Sequence, residues 1–251
     1  MLLKLENPMI LSRVVEIISE LVTEVRLKVN ESGMSISAMD PANVAMLGFK
    51  IPKSAFSQFE VGSEILGINL DNLKKILKRC GTKSTLIFET RDNLLDIYIY
   101  DRIKRNFSLS LIDVESEDID FDSKIANMEF SVSVELNSMD LVDSIEDCAV
   151  VADACSFIIK EGKYLIQAKN LNSPRSEFSG DEANIKAFHT GEIENCKARY
   201  SLEYLSKFIK AAKLCERTVL EFADDHPLKM KFRTPEFELG FILAPRVETE
   251  D

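Results

Sequence analysis

The chain carries an internal repeat at a spacing close to half its length. The segment NLDNLKKILKRC, which begins at Asn69, resembles SLEYLSKFIKAA, which begins at Ser201. Four positions match at an offset of 132 residues: Leu70 with Leu202, Leu73 with Leu205, Ile76 with Phe208, and Lys78 with Lys210. Three more match at an offset of 128: Leu11 with Met139, Val14 with Val142, and Ile17 with Ile145. This repeat predicts two equivalent domains of about 120 residues each.

The spacing of apolar residues predicts the elements of each domain. Apolar residues recur at helical spacing in four segments: 9–25, 70–80, 138–149 and 204–214. Five other segments alternate apolar and polar residues, as strands do: 85–89, 94–100, 130–136, 156–168 and 218–222. Because strands are in the majority, the sequence predicts an α+β fold in which two domains share one topology.

The two domains are predicted to span residues 1–112 and 127–251. Residues 113–126 lie between them and begin with the acidic run DVESEDIDFDSK, which has no helical stripe of apolar residues. A polar segment of this kind between two apolar patterns is typical of a linker, so we expect an interdomain connector here.

The sequence lacks the residue clusters that enzymes use. It has only two histidines, His189 and His226, and neither has sequence neighbours that would complete a metal site. The glycine-rich phosphate-binding and dinucleotide-binding motifs are absent, and so is the GxSxG nucleophile motif. We therefore predict a protein that is not an enzyme and that needs no cofactor and no metal. An enzyme acting on nucleic acid through an unrecognised site remains the alternative from another class.

Cysteine usage and hydropathy favour a soluble intracellular chain. No apolar run approaches the ~18 residues that a membrane span needs, and the N-terminus lacks the apolar core of a signal peptide. The five cysteines are dispersed and form no CxxC pair, so we expect reduced and mostly buried thiols: Cys80, Cys148, Cys155, Cys196 and Cys215.

Several motifs, in collinear order along nearly the whole chain, resemble those of the PCNA family of DNA sliding clamps. Residues 66–81 (LGINLDNLKKILKRCG) are similar to the family's second-helix motif. Residues 38–46 (AMDPANVAM) look like the segment after the family's first hairpin, with the residues that are typical of its archaeal members. Residues 241–248 (FILAPRVE) resemble its characteristic ending. The resemblance is weaker between Asn170 and Cys196.

This resemblance implies a trimeric ring of DNA-clamp domains, with helices lining a central channel and sheets outside. Such a ring would encircle double-stranded DNA without reading its sequence and would act as a polymerase processivity factor. The expected partners are a clamp loader, DNA polymerase, flap endonuclease, DNA ligase and further copies of the chain or close homologues, without a membrane. Because residues 38–46 resemble archaeal members of the family, we expect the protein in the cytoplasm; a eukaryotic protein would be nuclear. The alternative within this class is a specialised subunit of a heterotrimeric or checkpoint-type clamp.

The resemblance also assigns residues to a DNA channel, which should hold phosphate through diffuse basic contacts. The assigned residues are Arg13, Lys75, Lys78 and Lys210, with Lys74, Arg79 and Lys207 as additions. Alternatively, these side chains only keep exposed helices soluble. Asp143 and Glu146 stand where the family usually has arginine, and Ser12 and Ser19 where lysine is common. With a net charge of −11, this pattern suggests a ring that holds DNA loosely or assembles with non-identical subunits.

A second set of residues is expected to bind short peptides of client enzymes in an apolar pocket, as the family does. By position these are Met39, Asn43, Val44, Met46, Ile119, Phe121, Pro227, Ile242, Leu243 and Ala244. Clients would insert apolar and aromatic anchors there, and methionine suits a pocket that fits several ligands. Plain core packing is the competing explanation for these residues.

The third assignment is the joint between subunits. In the family an edge strand of one domain pairs with an edge strand of the next chain, and the candidates are residues 103–111 and 183–190. Phe107 stands where an aromatic residue commonly fills this joint. The assigned residues are Phe107, Leu109, Ile185 and Ala187.

Overall fold

The computed structural model describes residues 1–168, 174–179, 182–188 and 195–246, which form two compact units. Unit 1 comprises Met1–Pro41, Leu47–Phe121 and Thr234–Leu239. Unit 2 comprises Ala42–Met46, Asp122–Arg233 and the described part of Gly240–Asp251. Within these ranges, no helix has the length and apolar character needed to cross a membrane.

The first half of the chain alternates strands with two helices. Its elements are β1 (Leu2–Leu5), α1 (Met9–Ile18), β2 (Glu24–Asn30), β3 (Gly33–Met39), β4 (Ala45–Pro52), β5 (Gln58–Glu60), β6 (Glu64–Asn69), α2 (Leu70–Leu77), β7 (Thr85–Arg91), β8 (Leu94–Tyr100) and β9 (Lys104–Ser110). A 3₁₀ turn, Lys53–Ala55, follows β4. Most of these residues belong to unit 1.

The second half begins with a short helix and then repeats that order. Its elements are α3 (Phe121–Ala126), β10 (Val132–Asn137), α4 (Ser138–Val151), β11 (Ala154–Lys160), β12 (Lys163–Gln167), β13 (Arg175–Phe178), β14 (Ala183–Ala187), β15 (Cys196–Ser201), α5 (Leu202–Phe208), β16 (Arg217–Phe222), β17 (Leu228–Arg233) and β18 (Glu238–Leu243). A 3₁₀ turn, Ile209–Leu214, continues α5.

The sheets of the two halves have the same strand order. One sheet runs β5-β1-β7-β8-β9 in the first half, and its counterpart runs β14-β10-β16-β17-β18. The remaining strands are ordered β4-β3-β2-β6 and β13-β12-β11-β15. Each strand of the first half therefore has its counterpart nine strands later. The repeat read from the sequence is confirmed as a repeat of topology, and the predicted α+β fold with two similar domains is confirmed with it.

Each unit buries most of the apolar side chains of its helices and of one face of its strands. In β2, Val25, Leu27 and Val29 are buried while the intervening residues stay partly exposed, because successive side chains of a strand alternate between faces. In unit 2, the rings of Phe208 and Phe241 stack with centroids 4.3 Å apart. All five cysteines are free thiols, and three of them are buried.

The predicted first helix, 9–25, is too long. Helix α1 ends at Ile18, and the N–H groups of Glu20 and Leu21 then bond three residues back, in a 3₁₀ turn. From Glu24 the burial pattern has a period of two, so Val25 belongs to a strand. Its apolar spacing happened to continue that of the helix, which is why periodicity alone misplaced the boundary.

Three other helix ends also differ from the prediction. Helix α2 ends at Leu77 rather than Cys80, and α4 extends to Val151. The helix predicted for 204–214 is α-helical only through Phe208 and continues as the 3₁₀ turn. The connector, for which no helical stripe was expected, ends in the short helix α3. Helix ends commonly tighten into 3₁₀ turns, which sequence spacing does not reveal.

Candidate nucleic-acid and partner surfaces

Helices α1 and α2 of unit 1 pack together, and most of the predicted DNA-contact residues lie on these helices or directly after α2. Asn69 caps the start of helix α2, and its side-chain oxygen accepts a hydrogen bond from the Asn72 N–H at 3.1 Å. This cap satisfies one of the free N–H groups at the helix start. The helix buries Leu70, Leu73 and Leu77, so its lysines lie on the remaining, solvated face.

The basic residues of α1 and α2, and those that directly follow α2, differ in whether they form an ion pair with a carboxylate of the same chain. Arg13, Lys75 and Arg79 are exposed. The Nζ atom of Lys78 lies 2.7 Å from Oε1 of Glu16, on α1. The hydrogen bond from Lys78 holds the pKa of Glu16 below its ordinary value. Lys78 is therefore already neutralised by a carboxylate of its own chain.

Lys74 is held in a similar way, mainly by its own helix. Its Nζ atom lies 2.9 Å from Oδ1 of Asp71 and donates a hydrogen bond to the Ser19 hydroxyl at 3.0 Å. The hydrogen bond from Lys74 also lowers the pKa of Asp71. Of the predicted channel residues in unit 1, Lys74 and Lys78 thus have acidic partners, whereas Arg13, Lys75 and Arg79 keep exposed side chains.

The corresponding helices of unit 2 are more acidic. Helix α4 carries exposed carboxylates and neither lysine nor arginine. The carboxylates are Asp140, Asp143, Glu146 and Asp147. On α5, Lys207 pairs with Glu203 at 3.2 Å and lies over the ring of Tyr204, 5.2 Å from its centroid. Lys210 is exposed. Basic residues assigned to DNA contact in unit 2 therefore come from α5 and its 3₁₀ extension.

The connector is fastened to unit 1 at successive strands. The Ile112 N–H donates to the Gly67 carbonyl on β6 at 3.0 Å. On β2, Arg26 donates to the Val114 carbonyl, and Lys28 pairs with Asp118 at 2.6 Å. Two charged side chains of one strand therefore bind the connector from its side, which fixes its path over the strand.

A further contact is made by Phe121, the first residue of α3. Its N–H donates to the Ser37 hydroxyl on β3 at 3.4 Å. Its ring lies directly over Gly48 on β4, so closely that a Cβ at Gly48 would come within 2.3 Å of Phe121 Cγ. Gly48 thus provides the space in which Phe121 is buried.

The C-terminal segment is fastened within unit 2. The Ala244 N–H donates to the Val44 carbonyl at 2.9 Å, and the Arg246 N–H donates to the Arg199 carbonyl at 2.7 Å. The Arg246 guanidinium pairs with Asp153 at 2.7 Å and lowers the pKa of that carboxyl through the hydrogen bond. The chain end therefore lies along a defined line on unit 2 as far as Arg246.

The predicted pocket residues fall in both units and differ in accessibility. In unit 1, Met39 and Ile119 are half-buried and Phe121 is buried; in unit 2, Val44, Pro227 and Ala244 are half-buried, Asn43 is exposed, and Met46, Ile242 and Leu243 are buried. The structure brings Val44 and Ala244 together through their backbone hydrogen bond. Asn43 has φ of 56°, a left-handed conformation that asparagine tolerates in a tight turn.

Both strands predicted for the subunit joint are the outermost of their sheets among the described residues. Strand β9 ends the sheet of unit 1, and β14 ends that of unit 2. The assigned side chains are Phe107 and Ile185, which are half-buried, Leu109, which is buried, and Ala187, which is exposed. His189 and Thr190, at the end of the predicted second strand, lie outside the described residues.

Sequence reasoning missed several residues of these surfaces. Ile103 and Phe188 lie within the segments predicted for the joint but were not assigned as joint residues, and the structure shows that they are 63% and 51% exposed. Glu16 was not assigned, because its partner Lys78 lies on a separate element. Gly48 and Gly67, isolated glycines inside strand patterns, were the available signal for a close approach of another segment.

Comparison with known proteins finds matches along nearly the whole chain. Residues 1–125 match the family "Proliferating cell nuclear antigen, N-terminal domain", and residues 124–247 match its C-terminal domain. A "DNA polymerase sliding clamp 1" from Thermococcus kodakarensis is 35% identical over 234 residues, 92% of each chain. A "DNA polymerase sliding clamp" from Pyrococcus abyssi is 32% identical over 245 residues, 94% of each chain. The crystal structure of a proliferating cellular nuclear antigen from Entamoeba histolytica superposes with a TM-score of 0.87 at 22% identity, covering 98% of both chains.

Proposed function

Because the chain belongs to the proliferating cell nuclear antigen family, we propose that it is a DNA sliding clamp that confers processivity on DNA polymerase. The observation that carries this function is the tandem match of both family domains along one chain, together with curated relatives named as polymerase sliding clamps. The repeat of strand order supports it, since a ring of like domains needs equivalent halves in each subunit.

The proposed assembly is a trimeric ring closed by strand pairing. Strands β9 and β14 are outermost in their sheets, and an unpaired edge is a site where another chain adds a strand. Pairing β9 of one subunit with β14 of the next would satisfy both edges and cover Ile103 and Phe188. Phe107, Leu109, Ile185 and Ala187 are the proposed joint residues. A heterologous contact of this kind closes on itself when the rotation per subunit divides a full turn.

The proposed DNA contact uses the helices of both domains, without any chemical step. The phosphates would meet four exposed residues, which are Arg13, Lys75 and Arg79 of unit 1 and Lys210 of unit 2. Three lysines paired with carboxylates of their own chain would join when those carboxylates release them: Lys74, Lys78 and Lys207. Such contacts are independent of base sequence, as a sliding protein requires. The carboxylates of α4 weaken this attraction, so retention is mainly topological.

Client proteins are proposed to bind the half-buried apolar residues of two surfaces, one in each unit. In unit 1 these are Met39, on β3, and Ile119, in the connector; in unit 2 they are Pro227 and the hydrogen-bonded residues Val44 and Ala244. Polymerase, flap endonuclease, DNA ligase and the clamp loader are the proposed clients. The protein would then act at the chromosome in the cytoplasm, as its archaeal relatives suggest.

A processivity assay tests this function directly. The purified chain is loaded by an archaeal clamp loader and ATP onto a primed circular template with a family B polymerase, and product length is measured. Products should lengthen severalfold on circles, and the effect should be lost when the template is linear, because a topological ring slides off free ends. Products of unchanged length on circular templates would show that the chain is not a processivity clamp.

One observation favours a subunit of a mixed ring as the second candidate. Helix α4 has four carboxylates and no cation, so three copies would place many negative charges near the duplex. Light scattering of the chain alone separates the two candidates. A homotrimer gives three times the 28.4 kDa chain mass, whereas a subunit of a mixed ring stays a monomer or dimer until its partners are added.

A further inference from the structure

The ion pair between Glu16 and Lys78 joins two helices of the proposed DNA surface. Glu16 lies on α1 and Lys78 directly follows α2, and their charged atoms are 2.7 Å apart. Both side chains remain partly open to solvent, with 43% of Glu16 and 53% of Lys78 exposed. The pair is therefore accessible to a phosphate and is not a buried structural contact.

The backbones that carry Glu16 and Lys78 are both ordered by the helices. Glu16 is flanked in α1 by buried Val15 and Ile17, and the Ser19 hydroxyl donates to the Glu16 carbonyl at 2.8 Å. The Lys78 N–H donates to the Lys74 carbonyl, which continues the α2 ladder. The carboxylate and the ammonium thus start from two ordered backbones.

A lysine paired in this way is a weak ligand for DNA. The pair carries no net charge, so it releases few counterions when a phosphate approaches, and the carboxylate itself repels the phosphate. Exposed ion pairs are only slightly stable, so a phosphate can displace the carboxylate, but part of the favourable free energy is lost in doing so. The same holds in smaller measure for Arg13, whose charge also acts on Glu16.

We infer that Glu16 restrains Lys78 and thereby limits how strongly the ring grips duplex DNA. This inference rests on the proposed function, because it assumes that α1 and α2 face the DNA. Glu16 acts through Lys78 and is a tuning residue of the DNA surface. Its removal adds one free positive charge per subunit, while the apolar packing of α1 stays unchanged, since Glu16 lies on the solvated face.

The test measures binding of the purified chain to a fluorescein-labelled blunt duplex of about 30 base pairs by anisotropy, over a range of salt concentrations. The variants are E16Q, K78Q and the double variant E16Q/K78Q. The matched control is E31Q, which removes the same charge from an exposed glutamate in the turn between β2 and β3. Light scattering and thermal melting check that every variant keeps the oligomeric state and fold of the wild type.

At about 50 mM salt, E16Q should bind about two- to fivefold more tightly than the wild type, and its binding should fall more steeply with salt. The slope of log K against log salt should steepen by about 0.9 for each additional phosphate that the variant neutralises. The double variant should lose this increase in affinity, and E31Q should match the wild type.

The possible failures are distinguishable. If neither the wild type nor E16Q shows salt-dependent binding, the proposed DNA surface itself is wrong. If the wild type binds and E16Q binds equally, the inference about Glu16 is wrong while the proposed function stands. Tighter binding that persists in E16Q/K78Q also overturns the inference, because the effect would then arise from lost repulsion and not from a freed Lys78.

Discussion

Gly48 offers a sharp test of how the connector is held. A Cβ at Gly48 would lie 2.3 Å from Cγ and 2.4 Å from Cδ1 of Phe121, whereas ordinary van der Waals contacts are 3.4 to 4 Å. In Gly48→Ala the ring must therefore move by about 1 Å or leave its place altogether. Overpacking of this kind costs about 1–3 kcal/mol, and releasing Phe121 to solvent forfeits about the same amount.

The same geometry predicts a strong coupling between the two positions. Phe121→Ala alone should cost about 3–5 kcal/mol, as for other buried phenylalanines, because only 6% of Phe121 is exposed. In that background the methyl group added by Gly48→Ala meets no ring, so this second substitution should be nearly neutral. The double variant should then resemble Phe121→Ala, which gives a coupling free energy of about 1–3 kcal/mol between the two residues.

Urea unfolding measures the free energies of unfolding of the wild type, of the two single variants and of the double variant. The protein concentration is kept fixed, because the stability of a protein that assembles depends on it. Hydrogen exchange at residues 112–121 adds a local readout, because a displaced Phe121 should loosen the connector first. The packing of the Phe121 ring over Gly48 would be refuted by either of two results. One is a free energy of unfolding of Gly48→Ala within about 0.5 kcal/mol of the wild type. The other is a destabilisation of the double variant equal to the sum of the two single variants.

The subunit joint, the partner surface and the C-terminal segment each carry a further prediction. Phe107→Ala should convert the assembly to monomers, as measured by size exclusion with light scattering; an intact trimer would remove Phe107 from the joint. Ile119→Ala combined with Phe121→Ala should abolish polymerase stimulation while light scattering still shows the ring, and unchanged stimulation would refute the partner surface. The hydrogen bond from Arg246 lowers the pKa of Asp153 in the folded chain. The ion pair therefore contributes its full stabilisation above the pKa of the unfolded state, about 4. This stabilisation is lost as the pH falls through the lower pKa of the folded state. Arg246→Gln should raise the pKa of Asp153 in an NMR titration, and an unmoved titration would contradict the pairing.

Much of the fold could be predicted because the repeat and the periodicity act over many residues. The match of Leu70 and Leu73 to Leu202 and Leu205 established the equivalence of the two halves, and the strand order then repeated element by element. Errors arose where one element runs into the next. Val25 continued the apolar spacing of α1 although it lies in β2, because three or four residues of separation suit a helix and a turn-plus-strand equally well.

The candidate sites were less accessible to sequence reasoning, since they depend on contacts between distant segments. No spacing rule relates Glu16 to Lys78, or Gly48 to Phe121, because each pair is set by tertiary packing. Burial also divides the residues assigned to the partner pocket. Leu243 is wholly buried, as core packing would require, whereas Ile119 keeps an accessible surface.

On the proposed DNA surface, the charges of the helices would explain how an acidic protein can hold DNA and still move along it. A surface rich in free lysines increases its affinity with each phosphate it meets, and each step along the duplex must break those contacts. On the proposed DNA surface, Lys74 and Lys78 are paired with carboxylates, so a lysine that leaves one phosphate would re-form Asp71–Lys74 or Glu16–Lys78, and this gain offsets part of the free energy lost with the phosphate contact. The negative charge of α4 acts in the same direction. If the ring supplies retention by enclosure, weak contacts of this kind favour sliding, and a more basic variant should be held more tightly but diffuse more slowly along DNA.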